Sequence, residues 1–299
     1  MMMEGVRSDD DVLGLILAIA RADERVRAVI LSGSRADPHA PSDALRDFDV
    51  VFVVRDVESF RDDHAWFRAF GETAIVQHPD AMSDAPPRAD GGFAILMQFT
   101  DGHRIDLTLL PLGAMARFRH DGPAIVPYDP DGVVPPPPPA AAPHHVPAPP
   151  TPRAFAEVCN EFWWVAPYVA KGLARGETTY ARHHLDTVMR AQLMTMLGWW
   201  VAAATGFVRG PGKEGRHLHR ELEPESWRLV QATYADADAG RSWDALETMT
   251  VLFRRSAREV AAQFDLTYPE GDDERVTALL RRMRARSGAG GSRPGASTP

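Results

Sequence analysis

Two rhythms of apolar residues divide the chain. Up to about residue 132, short β-like runs alternate with helical ones. Asp10 to Val26 opens on acids and carries Leu13, Ile16, Leu17 and Ala20 at helical spacing, which predicts a helix. Ala28 to Leu31 is a short apolar strand ending at Ser32-Gly33-Ser34, and Val50 to Val54 is an unbroken β-branched and aromatic run suited to a strand covered on both faces. Phe93 to Phe99, Asp101-Gly102 and Arg104 to Leu110 have the order strand, tight turn, strand of a hairpin. From residue 153 the period becomes helical throughout, predicting helices over 153–173, 177–204, 214–235, 243–264 and 272–286. The pattern implies a mixed α/β (α+β) first half and an all-helical bundle after it, with no internal repeat.

Composition places the boundary. Residues 135–152 hold 10 of the 25 prolines, which predicts an extended connector without a core of its own. The expected division is 1–134, a connector at 135–152, a helical domain over 153–286 and a frayed tail over 287–299. Charge divides the same way: residues 1–132 carry 13 Arg against 23 Asp and Glu, whereas the whole chain of 299 residues has a net charge of -8. So acidic a half lacks the basic footprint that nucleic acid requires and suits cations or metal ions. The single cysteine, Cys159, excludes an intramolecular disulfide and a multi-thiolate zinc site. The run Leu13 to Ala20 is too short to span a bilayer and follows three acids rather than a basic segment, so a cytoplasmic protein with no membrane partner is expected.

Chemistry concentrates in the first half. Asp47-Phe48-Asp49 leads into the Val50 to Val54 run, and alternation along a strand projects both carboxylates to one side, with Cα atoms about 6.6 Å apart. Two hard carboxylates so placed can share magnesium. Gly33 lets backbone approach a ligand, while Ser34 and neighbouring amides can donate to phosphate oxygens. Asp106, between apolar neighbours on its strand, is costly to bury unpaired and so is expected to meet a metal, a cation or a substrate hydroxyl. Its bland alternative is an ion pair with Arg104. Asp47 and Asp49 read alone are a solvated strand end, and Gly33-Ser34 an ordinary turn; the conjunction favours metal-assisted phosphoryl transfer.

Gly33-Ser34-Arg35-Ala36-Asp37 with Arg46-Asp47-Phe48-Asp49-Val50-Val51-Phe52 resembles the signature of the nucleotidyltransferase superfamily, specifically the aminoglycoside 6-adenylyltransferases that inactivate streptomycin. Gln98 to Thr108, Asn160 to Leu173, Leu185-Asp186 with Arg190, Trp199 and Trp200, Gly212-Lys213, and Trp227 through Thr233-Tyr234 extend the likeness over about residues 10–270. The resemblance implies a nucleotidyltransferase domain, a helical domain and an active site in the cleft between them. Asp47 and Asp49 would hold magnesium on the ATP phosphates, with Asp106 completing the metal set and accepting the proton of an attacking hydroxyl. The products would be an O-adenylyl aminoglycoside and pyrophosphate. Arg46 stands where the family usually has Gln, and the proline-rich stretch is longer in prolines than the family's.

The remaining expectations concern ligands. Gly33, Ser34, Arg35, Lys213 and Tyr234 are the nucleotide-binding candidates, Lys213 because an ammonium just ahead of a helix suits β- or γ-oxygens. Lys213 on spacing alone is a solvated loop lysine, and the plain reading of Lys171 is a snorkelling one. Guanidinium groups of a streptomycin-like acceptor want carboxylates and aromatic faces, which nominates Glu161, Trp163, Trp164, Tyr168 and Asp186. Trp163 and Trp164 point about 100° apart, so at least one belongs to the core. Asp186 has Arg182 and Arg190 four residues to either side, the spacing of intrahelical pairs. The reading is a monomeric ATP- and magnesium-dependent adenylyltransferase conferring antibiotic resistance. Its rivals are a nucleotidyltransferase acting on another small molecule or a protein side chain, and a catalytically silent nucleotide-binding protein.

Overall fold

The computed structural model describes residues 7–37, 43, 45–61, 63, 66–82, 84, 86–120, 122–136 and 146–289. The chain divides into two compact units, residues 1–142 and 143–299.

In the first unit, α1 (Asp9–Ala22) starts at a capping box in which Ser8 and Asp11 satisfy each other's backbone N–H groups. It buries Val12, Ile16 and Ala20. The strands are β1 (Val26–Ser32), β2 (Phe48–Val54), β3 (Thr73–Gln77), β4 (Phe93–Phe99), β5 (Arg104–Pro111) and β6 (Ala124–Tyr128), with the one-turn helix α2 (Glu58–Arg61) after β2. They form one mixed sheet in the order β3-β4-β5-β2-β1-β6. All neighbours run antiparallel except the central pair β2 and β5. One sheet face is sealed by α1 and the Phe52, Phe60, Phe70 cluster. The other carries a smaller apolar group, Ala28, Ile30, Val53, Leu110 and Met115, which leaves the Asp47 end of the central strands uncovered by that group. The edge strands β3 and β6 were not among the predicted elements: each is five residues long and mostly half-exposed or exposed, so neither shows a clean alternation.

The second unit is helical: α3 (Pro152–Arg175), α4 (Thr178–His183), a wide π-helical turn (His184–Met189), α5 (Arg190–Ala204), α6 (Leu218–Glu221), α7 (Pro224–Ala232), α8 (Ala239–Phe264) and α9 (Glu270–Ala289). Thr151 caps α3 by accepting from the Ala154 N–H, and Pro152 occupies the first turn, where its missing N–H costs nothing. The core stacks Phe162 on Phe253 at a centroid distance of 3.7 Å. Two expectations change. The predicted helix over 214–235 breaks into two short ones, because Gly215 takes φ +81° and Pro224 opens a new helix at a position that cannot extend the preceding one. The helix α9 runs to Ala289, into the stretch expected to fray, while 290–299 lie outside the described residues, as do 137–145 of the proline-rich connector. Cys159 is fully buried and its thiol is pushed up to about 12 by burial, so it packs as an inert hydrophobe. No helix among the described residues is long and apolar enough to cross a membrane.

Candidate active site

Strand register assembles the site. The parallel pairing of β2 with β5 sets Asp49 directly opposite Asp106. On β2, Phe48, Val50 and Phe52 point into the core, and on β5, Ile105, Leu107 and Leu109 do the same. Asp49 and Asp106 therefore share the opposite, half-exposed face. Asp47, just ahead of β2, reaches that face too: its Oδ2 lies 3.8 Å from the Arg104 Nε that contacts Asp106. Gly33, at the end of β1, backs onto the same carboxylates. It adopts φ +68°, and a Cβ there would fall 2.1 Å from Asp49 Oδ2, so any other residue would be strained and would push the Asp49 carboxylate aside. Ser34 follows in a single 3₁₀ turn, its carbonyl accepting a hydrogen bond from Arg46.

Arg104 modifies the expected metal set. Its guanidinium donates in a fork to both oxygens of Asp106, at 2.7 and 2.8 Å. The Asp106 bond, with the charges of Asp47 and Asp49 behind it, holds the Arg104 proton more firmly than in free arginine despite partial desolvation. No three His, Cys, Asp or Glu groups converge on a metal position among the described residues. Asp106 as a third ligand is thus not preassembled, because the guanidinium fork holds both of its oxygens. Hard oxygen donors gathered on one face around a cationic side chain nevertheless have the chemistry a hard dication accepts, and Asp47 and Asp49 are the pair that could hold one.

Arg35 has a different role from the expected phosphate contact. Four donor contacts are directed into the protein: Nε to the Asp47 carbonyl at 3.1 Å, Nη2 to the Arg46 carbonyl at 2.6 Å and to Asp9 Oδ1 at 3.1 Å, and Nη1 to Asp9 Oδ2 at 2.6 Å. The guanidinium also lies 3.6 Å from the Phe48 ring centroid. Arg35 clamps the backbone that delivers Asp47. Its partner Asp9 is held below the usual carboxylate range chiefly by the Arg35 hydrogen bond, and nothing in the sequence links it to a residue 26 positions later.

The second-unit candidates separate by burial. Trp163 is 2% exposed, packed edge-on against Phe162 and Phe253, with its indole N–H donating to Tyr268 at 3.1 Å. It belongs to the core, although it also contributes to the lining of the hollow beside Trp164. Trp164 is 63% exposed and half-buried Tyr168 stands beside it. The two line a hollow of about 420 Å³ together with Lys171 and the Arg275–Asp272 ion pair at 2.5 Å, so its lining carries charges of both signs. Half-buried Glu161 lies on the same helix. Asp186, on the π-helical turn, is paired with Arg182 at 2.7 Å and Arg190 at 3.5 Å, so the intrahelical pairing prevails over an open acceptor site. Arg190 in turn donates to Thr233 and lies 3.7 Å from the centroid of the largely exposed Tyr234 ring. Lys213 is exposed at the start of a single 3₁₀ turn, and the next helix begins at Leu218, so it does not sit at a helix N-terminus.

A family model described as streptomycin adenylyltransferase matches residues 6–283. The chain belongs to that family. It is accordingly an adenylyltransferase, a class of enzyme that uses ATP as co-substrate. The aminoglycoside 6-adenylyltransferase of Campylobacter jejuni is 36% identical over 281 residues, spanning 93% of this chain and 97% of that protein. The aminoglycoside 6-adenylyltransferase of Bacillus subtilis (strain 168) is 33% identical over 270 residues, or 90% of this chain and 95% of the relative. A crystal structure of an aminoglycoside 6-adenyltransferase from Bacillus subtilis aligns at 30% identity with a TM-score of 0.46, covering 93% of this chain and 99% of that one. The matched span of the family includes each of the site residues discussed above.

Proposed function

We propose that the protein transfers the adenylyl group of ATP to a hydroxyl of a streptomycin-like aminoglycoside and releases pyrophosphate. The observation that carries this reading is the register that sets Asp49 opposite Asp106, with Asp47 on the same face and Gly33 packed against Asp49. Asp47 and Asp49 are the groups to hold magnesium, which when bound supplies charge neutralisation along the triphosphate. Ser34 and the turn amides after Gly33 cradle phosphate oxygens. The exposed ammonium of Lys213 suits the same charge, and Tyr234 offers a ring to the nucleotide.

Asp106 is the base. The acceptor oxygen attacks the α-phosphorus, its proton passes to the Asp106 carboxylate, and the bond from the α-phosphorus to the β-bridging oxygen breaks as pyrophosphate leaves. A carboxylate gripped by a guanidinium fork is a poor proton acceptor, so the Arg104 fork must loosen before transfer. For a cationic acceptor, the strongly acidic first 132 residues raise its local concentration, and Glu161, Trp164 and Tyr168 retain solvent access to meet it.

The test is direct. Purified protein with ATP and magnesium is assayed for pyrophosphate release against a panel of aminoglycosides, and the product is weighed by mass spectrometry. One added adenylyl group on streptomycin is the expected result. Pyrophosphate release with a different acceptor alone would remove streptomycin, and silence across the panel would remove the acceptor class.

A further inference from the structure

We infer that Arg104 is a built-in counter-ion at the carboxylate face, one that competes with a dication for the same carboxylates and must withdraw for a dication to bind. The inference rests on the proposed reading of Asp47 and Asp49 as metal-holding groups. Three observations carry it. First, the Arg104 guanidinium touches two of the three carboxylates, in a fork on Asp106 at 2.7 and 2.8 Å and at 3.8 Å from Asp47 Oδ2, while the third, Asp49, is the register partner of Asp106. Second, three carboxylates on one face repel one another, and a single planar guanidinium offsets part of that charge by binding one in two-point fashion while still facing another. Third, the fork can be displaced. Arg104 is 40% exposed, Asp47 45% and Asp106 23%, so water replaces whatever bonds are broken, unlike a buried pair whose rupture strands a charge.

Arg104 therefore acts through the carboxylates and is a positioning residue. Through its fork it neutralises Asp106 and holds both of its oxygens. On withdrawal it releases Asp106 to accept a proton. Its cost is competition, since any entering dication must displace it. A purely structural arginine would make the opposite prediction, because deleting it would leave the carboxylates splayed by repulsion and weaken cation binding.

The experiment titrates Mn²⁺ into the full-length protein without nucleotide and follows free Mn²⁺ by electron paramagnetic resonance. Wild type is compared with Arg104→Gln, Arg104→Lys and Asp49→Asn. Removing one exposed, competing ion pair corresponds to roughly two- to fivefold tighter Mn²⁺ binding in Arg104→Gln. Arg104→Lys, which keeps a point charge but cannot fork, falls between that variant and wild type. Asp49→Asn binds at least about tenfold more weakly than wild type. The control separates the two ways of failing. If Asp49→Asn binds Mn²⁺ as wild type does, the metal-site reading is wrong and the inference goes with it. If Asp49→Asn loses binding while Arg104→Gln is unchanged or weaker, the metal site stands and the counter-ion role of Arg104 is overturned. The Lys variant, conservative in charge and length, decides the matter should Arg104→Gln misfold: binding equal to or weaker than wild type overturns the inference.

Discussion

The molecule contains two arginine–aspartate forks of the same chemistry in opposite surroundings. In the second unit, Arg254 donates from Nε and Nη2 to Asp273 at 2.5 Å each. Asp273 is 2% exposed and also accepts from Tyr268 at 2.8 Å and Thr277 at 2.9 Å, and Tyr268 receives the Trp163 indole N–H. Burial by itself would raise the Asp273 carboxyl, yet these donors together hold it below the usual range, while burial pushes the Tyr268 hydroxyl well up. Every lone pair is answered, and the network ties α3, α8 and α9 together. In the first unit, the Arg104–Asp106 fork stands half-exposed on a strand face with a second and third carboxylate nearby. Burial is what separates the two salt bridges. Desolvated and saturated with partners, such a bridge is a staple that cannot be opened without leaving a charge in the core; solvated and shared, it is a contact that a ligand can displace.

Mutating one carboxylate in each setting should separate activity from stability. Asp49→Asn should lower kcat by about 10³- to 10⁴-fold, roughly 4–5 kcal/mol of barrier, with a urea midpoint close to wild type. Asp273→Asn should do the reverse, costing about 3 kcal/mol of unfolding free energy by chemical denaturation while kcat at saturating substrates changes little. Were Asp273→Asn to unfold at the wild-type denaturant concentration, the network would not be a staple. A smaller effect is expected between these extremes at Arg35→Lys. A lysine cannot serve two carbonyls and a carboxylate together, so the backbone delivering Asp47 loosens and kcat/KM for ATP falls about tenfold, or roughly 1.4 kcal/mol. Wild-type kinetics in that variant would return Arg35 to the role of a surface charge.

What could be read from the chain follows from which forces act locally. The central strands, α1 and the long helices declare themselves through β-branched runs and 3.6-residue periods, and the Asp47, Asp49 pair through strand alternation. The opposition of Asp49 and Asp106 is a parallel pairing between strands 57 residues apart in sequence, and nothing local encodes such a register. The Arg104–Asp106 pair was visible as a bland alternative, and the structure makes it part of the site. Trp163 and Trp164 illustrate the limit of periodicity: helical geometry says that they diverge, but only packing against Phe253 and the Tyr268 hydroxyl says which one is inside. Lys213 looked like a helix-start residue because 214–235 has helical composition, and the breaks at Gly215 and Pro224 were the signals that should have outweighed it.

The finest test of the comparison uses pH, because two carboxyls held below their ordinary range sit in the two settings. Asp273 is buried, whereas Asp9, paired with Arg35, is 41% exposed. A carboxyl that binds its proton less readily in the folded chain than in the unfolded one adds stability that is complete above the unfolded value of about 3.9 and disappears as pH falls through the folded value. Asparagine does not titrate in this range. The stability gap between wild type and Asp273→Asn should therefore be large and flat from pH 7 to about 5, then close as the solution is taken below about pH 4. The gap for Asp9→Asn should close in the same direction but never exceed about 1 kcal/mol, because solvent screens a half-exposed pair. Urea unfolding of the three proteins between pH 7 and pH 2 measures both curves. A gap that widens in acid for either variant would reverse the sign and remove the ionised carboxylate as the stabilising species, and equal gaps for both would erase the distinction between a buried fork and an exposed one.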